Sequence, residues 1–96
     1  MKGAKKMKHY HIIVHGRVQG VGFRYFTQIL ASEHQISGWV RNKEDGTVEI
    51  VAEGEEENLK SFVEEMKKGS PFSRVEHIQL TEKEQMEGFQ SFNIRY

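Results

Sequence analysis

A chain of 96 residues, 36% hydrophobic and 29% charged, has the size and composition of one globular domain with a single two-layer core. Its 14 basic and 14 acidic residues cancel, which removes the long-range pull that a strongly basic chain exerts on nucleic acid or a membrane surface. The absence of cysteine excludes disulfides, thiolate catalysis and zinc–thiolate sites and is compatible with a cytoplasmic location.

In chain order, residues 1–8 carry Lys2, Lys5, Lys6 and Lys8 with little that is apolar, so a flexible basic tail is expected ahead of a single domain over residues 9–96. The tail has no signal-peptide core, and no segment approaches the ~20 apolar residues of a membrane helix. Tyr10, Ile12 and Val14 alternate with His9, His11, Ile13 and His15, the period of a strand. A glycine-containing loop follows. Phe23, Phe26, Leu30 and His34 then recur at helical spacing, predicting a helix over about Phe23–Gln35 that breaks at Ser37-Gly38. Trp39–Lys43 and Thr47–Glu53 read as two strands joined through Glu44-Asp45-Gly46, a hairpin signal.

A second helix carries Leu59, Phe62, Val63 and Met66 on one stripe. Glu55–Glu57 lie at its start and Lys67 and Lys68 at its end, matching the helix dipole. Gly69 suits the left-handed C-terminal position, and Pro71 prevents continuation. Val75–Thr81 is a fourth strand whose apolar phase slips between Val75 and Ile78, as at a bulge. Glu82–Gly88 is a polar turn, and Phe92, Ile94 and Tyr96 alternate in a last strand. Strand, helix, strand, strand, helix, strand is the order of an α+β, ferredoxin-like split βαβ sandwich. An antiparallel sheet with two helices on one face is therefore expected, with one C-terminal strand as an addition. Trp39 and the Phe23/Phe26 pair are expected in the core.

The segment richest in chemistry is Gly16-Arg17-Val18-Gln19-Gly20-Val21-Gly22-Phe23-Arg24. Glycines at a strand-to-helix turn let the backbone approach a ligand, and free N–H groups there favour an anion. The spacing fits neither a Walker A loop nor a dinucleotide fingerprint, and a purely structural turn is the plainer alternative. Arg24 tips the balance. An arginine in the first helical turn opposes the dipole, and its planar fork matches two phosphate oxygens. Asn42, just before the hairpin, is either a turn former or a carboxamide that orients a water. Substrate contact and simple exposure are equally open for Arg17 and Gln19. His9, His11 and His15 share a strand face and read as a polar, solvent-facing side, with no metal ligand assigned.

The run Val14–Arg24 closely resembles one signature of the acylphosphatases. Gly38-Trp39-Val40-Arg41-Asn42, followed by Gly46, Val48 and Gly54, resembles the other. Ser70-Pro71-Phe72-Ser73 and Phe92-Asn93-Ile94-Arg95-Tyr96 are also similar to family sequences, so the resemblance spans about His9–Tyr96. It implies a metal-independent hydrolase that cleaves the carboxyl–phosphate bond of small acyl phosphates without a cofactor or covalent intermediate. Phosphate would sit in the loop of Gly16, Arg17, Val18, Gln19, Gly20, Val21 and Gly22, Arg24 would grip it, and Asn42 would position the attacking water. Lys43 stands where family members often have a hydroxyl residue, so Thr47 is a further candidate for positioning Asn42. A monomer is expected, because no apolar stripe is left over after the sheet and helices pack. The competing class, an RNA-binding module on the same fold, needs exposed aromatics on the central strands; Thr47–Glu53 has none.

Overall fold

The structure, a computed structural model, describes residues 5–96. Alternation along the first strand sets the two faces of the sheet: Tyr10, Ile12 and Val14 are buried in the core cluster, with the histidines on the opposite side. The elements are β1 (Met7–Arg17), α1 (Phe23–Glu33), β2 (Ser37–Asn42), β3 (Val48–Glu55), α2 (Glu56–Lys68), β4 (Arg74–Lys83) and β5 (Phe92–Arg95). They form one five-stranded sheet in the order β4-β1-β3-β2-β5. The first four strands pair antiparallel, the ferredoxin-like arrangement, but β5 joins the edge of β2 in parallel. The expected antiparallel sheet is present, and the additional C-terminal strand makes it a mixed one. Residues 84–91 carry the chain from β4 at one edge of the sheet to β5 at the other.

Leu30, Ala31, Leu59, Phe62 and Met66 of the two helices close over Ile12, Val14, Ile50 and Val40, burying all of them in one cluster. Thr27 is also fully buried; its hydroxyl donates to the Phe23 carbonyl at 2.9 Å, which satisfies it within its own helix. The bulge expected near Val75 is present. His15 pairs with His77 and Gly16 with Val75, leaving Glu76 as the extra residue.

Several local expectations change. Of the expected basic tail, residues 1–4 lie outside the described ones, while Met7 and Lys8 belong to β1, opposite Glu55 and Gly54. Trp39 is half-buried on the helix-free face, with the Arg95 and Arg41 guanidinium groups over its ring at 4.4 and 5.6 Å. Gly69 has φ 76 and ψ 173, which is positive φ without the left-handed helical ψ. Helix α1 stops earlier than the apolar spacing suggests. Gln35 takes φ 57, Ile36 N–H donates to the Ala31 carbonyl at 2.8 Å, and Gln35 N–H donates to Ser32 at 3.4 Å. This is a Schellman closure with glutamine at the position that favours glycine.

On the helix-free face Glu49 accepts from the His11 imidazole and the Arg41 guanidinium, both at 2.6 Å. Burial alone would raise the Glu49 pKa, but hydrogen bonds from His11 and Arg41 outweigh it and hold the carboxyl below its ordinary value.

Two outcomes follow from these local features. Gln35→Gly relieves the left-handed strain and should raise unfolding free energy by about 0.5–1 kcal/mol, read from urea denaturation. The Glu49 contribution is present above the ordinary glutamate pKa of about 4.3 and is lost as pH falls through the lower folded value. Glu49→Gln should therefore flatten the acid limb of the stability–pH curve.

Candidate active site

β1 ends at Arg17, and residues 18–22 turn the chain into α1. Gly20 and Gly22 have φ 73 and 76, while Val21 between them has no positive φ. That alternation turns successive N–H groups toward one side, as in an anion-binding nest. Among the described residues, the amides of Gln19, Gly20, Val21 and Gly22 find no intramolecular acceptor. Helix α1 begins at this loop with no side-chain cap and no acidic residue in its first turn. The positive end of its dipole is uncompensated by the protein.

Arg24 stands in that same first turn. One of its nitrogens, Nη1, donates to the Arg95 carbonyl at 3.2 Å, and its guanidinium lies 4.7 Å from the centre of the Tyr96 ring. Strand β5 therefore fixes the side chain while leaving most of the fork's five N–H donors available. A cation added to an uncapped helix start is repulsive unless an anion joins them.

Asn42 is the last residue of β2, paired with Val48 across the hairpin. Its Oδ1 is buried and accepts no hydrogen bond from the described residues. An unsatisfied buried acceptor costs about 1–3 kcal/mol, so a donor from outside the chain is the natural complement. Gln19 links this strand end to the glycine loop: its Nε2 donates to the carbonyls of Lys43 and Thr47 at 2.7 and 2.8 Å. The Thr47 hydroxyl, considered as a partner for Asn42, donates instead to Asp45 at 2.6 Å. Together with the Thr47 amide it keeps the Asp45 carboxyl below its usual pKa.

These parts enclose a cleft of ≈150 Å³, lined at its polar end by Gly20, Gly22, Arg24 and Asn42. Val18, Phe23, Tyr25, Ile94 and Tyr96 complete it. That is well below the roughly 300–1,000 Å³ of a drug-sized site, so the cleft suits a small anion rather than a nucleotide. No aspartate, glutamate, histidine, serine or threonine lines it.

Arg24 and Asn42, distant in sequence, thus meet in one cleft with Val18, Gly20 and Gly22. Four other residues expected to touch substrate do not line the cleft with their side chains, although the Gln19 and Val21 amides belong to its loop. Gly16 and Arg17 belong to β1, paired with Val75 and Arg74, and the Arg17 side chain is exposed. Gln19 uses its side chain on the hairpin, and Val21 packs against the core. The expected polar histidine face is also only partly so: His9 is 6% exposed and lies 3.0 Å from a buried Glu53. Tyr25, Ile94 and Tyr96 were not singled out from the sequence. For Tyr25 the signal was an aromatic beside Arg24 in a helix's first turn; for Ile94 and Tyr96 there was none, since β5 reaches the cleft only through its parallel pairing.

The acylphosphatase family profile matches residues 10–94. An acylphosphatase of Bacillus licheniformis is 59% identical over 90 residues, spanning 94% of this chain and all of that protein. The crystal structure of acylphosphatase from Bacillus subtilis superposes with a TM-score of 0.91 at 56% identity, covering 93% of this chain and 99% of that one. An acylphosphatase from Coxiella burnetii gives 0.88 at 35% identity, with 93% of each chain covered. Full-length similarity of this strength, together with a cleft that unites an amide loop, an arginine and an unsatisfied carboxamide, places the chain in the acylphosphatase family.

Proposed function

We propose that the cleft hydrolyses small acyl phosphates to a carboxylate and inorganic phosphate. The observation that carries this is the buried, unsatisfied Oδ1 of Asn42 on the same cleft wall as the unpaired amides and Arg24. The phosphoryl oxygens rest on the Gln19–Gly22 amides and the Arg24 fork. Asn42 Oδ1 accepts a hydrogen bond from a water and aims its lone pair at phosphorus. The water oxygen bonds to phosphorus, the bond from phosphorus to the acyl oxygen breaks, and the carboxylate departs with that electron pair. The water's proton passes to the phosphoryl group.

The physical chemistry is consistent with so sparse a site. A carboxylate is a good leaving group, so no strong general acid is needed. Phosphoryl transfer depends chiefly on positioning and on stabilising charge at the equatorial oxygens. The cleft offers donors for that charge, and no aspartate or glutamate side chain lines it. No step runs through a metal or cofactor, and activity should persist in chelator. The same proposal has the enzyme acting as a monomer in the cytoplasm. Among the described residues no helix is long and apolar enough to cross a membrane. Light scattering of the 11.2 kDa chain checks the oligomeric state.

The residue roles separate in steady-state assays on an aryl acyl phosphate. Arg24→Ala should lower kcat/KM by at least about 10³-fold and weaken inhibition by inorganic phosphate, and Arg24→Lys should be nearly as impaired because a point charge cannot replace the fork. Asn42→Ala should lower kcat by roughly 10²–10³-fold while phosphate inhibition stays near wild type. Wild-type rates in either alanine variant would remove its assigned role. Gln19→Ala should cost ten- to a hundredfold, roughly, chiefly in kcat, because it frees the hairpin that holds Asn42 against the loop; an unchanged kcat would show that the hairpin needs no such tie.

A further inference from the structure

Glu53 lies in β3, the central strand of the sheet, and is 2% exposed. Its carboxylate accepts the backbone N–H groups of Glu87, Gly88 and Phe89, the last two at 3.0 and 3.4 Å. His9 on β1 lies beside it, with Nδ1 at 3.0 Å from Glu53 and 2.7 Å from the Gln85 carbonyl. A backbone carbonyl only accepts, so Nδ1 carries the proton. Burying a carboxylate is costly unless it is fully paired, and here its partners all belong to one segment and one histidine.

That segment is the crossover between β4 on one edge and β5 on the other. Four strand spacings of about 4.8 Å make roughly 19 Å to be crossed, and the chain from Lys83 to Phe92 reaches about 30 Å at most. The crossing takes about two-thirds of that reach. The crossing is pinned strand by strand: Gln85 to His9 on β1, residues 87–89 to Glu53 on β3, and the Ser91 carbonyl to Gly38 N–H on β2 at 2.9 Å. It delivers β5, only four residues long, in parallel to β2 with Ile94 opposite Val40 and Arg95 opposite Arg41. A short edge strand holds its register weakly by itself. The carbonyl of Arg95 and the ring of Tyr96 are nonetheless what hold the Arg24 guanidinium.

We propose, resting on Arg24 as the phosphate clamp, that Glu53 with His9 is a positioning latch for the active site. By pinning the crossover it sets the register of β5, and through β5 the place of Arg24 in the cleft. Neither residue touches substrate.

The test is the inhibition constant of inorganic phosphate, measured alongside KM and kcat, with near-UV circular dichroism to establish folding. Glu53→Leu should raise the phosphate Ki and KM about tenfold, more than it lowers kcat, because Asn42 stays tied through Gln19. Glu53→Gln keeps one oxygen for the Gly88 and Phe89 amides and should fall between Glu53→Leu and wild type. A merely structural role lowers the unfolding midpoint and leaves the Ki of the folded protein unchanged; a Ki within twofold of wild type in folded Glu53→Leu overturns the latch. Should Glu53→Leu fail to fold, Gly88→Val decides. Gly88 is exposed with φ 77, a conformation that a β-branched residue resists, so the variant pulls the crossover amides off Glu53 without altering the sheet. A rise in Ki above twofold supports the latch and a smaller one refutes it. Arg24→Ala run in parallel separates the two claims: with Arg24→Ala crippled, a normal Ki in the latch variants sinks the latch alone, whereas a normal phosphate Ki in Arg24→Ala sinks the clamp and the latch together.

Discussion

The constraint on which the molecule turns is a deficit of hydrogen-bond acceptors at one end of the sheet. Between Gln19 and Gly22 the backbone offers N–H groups that nothing among the described residues receives. Helix α1 adds an uncapped start and Arg24 adds a full positive charge. Elsewhere in the same cleft the imbalance is reversed, with the Asn42 oxygen buried and given no donor by the described residues. Each feature alone destabilises the fold; side by side they match a phosphoryl group and a water. The free energy withheld from folding is available for binding.

Three separate ties keep these opposed features in register. The loop is continuous with β1 and α1, so its position follows from the core. Gln19 joins the loop to the hairpin with both protons of one amide. Strand β5 reaches the cleft from the far edge of the sheet and supplies a carbonyl and a ring to Arg24. Most of the sheet's hydrogen-bond capacity serves the fold; these few side-chain contacts set how far apart the anion cradle and the water-orienting oxygen sit. In phosphoryl transfer, where positioning is most of the catalysis, that spacing matters more than any single proton donor.

Much of this was legible in the residues. The glycine loop and Arg24 stand out because a helix start with arginine and no acidic residue contradicts dipole preference. Asn42 stands out because asparagine is depleted in strands. The bulge at Glu76 showed as a phase slip, and the apolar stripe of α2 became its buried face. What escaped depends on contacts remote in sequence. The parallel placement of β5 is invisible because alternation in a strand does not name its neighbour. Trp39 reads as core by type but lies on the helix-free face under two guanidinium groups. His9 looked like part of a solvated row, and Glu53 like the end of a strand; only the crossover covers them. Gln35 ends α1 without a glycine by taking the left-handed conformation itself.

The central claim is that the free amides of residues 19–22 and the Arg24 fork hold one anion beside the Asn42 carboxamide. The most direct measurement is a phosphate titration followed by 1H–15N correlation spectra. Saturable shifts should concentrate on the amides of Gln19, Gly20, Val21 and Gly22, the Arg24 side chain and the Asn42 side-chain NH2 group, with one dissociation constant that matches the inhibition constant. Phosphate that inhibits the enzyme while these resonances stay still, or that moves resonances on another face of the sheet, would contradict the account.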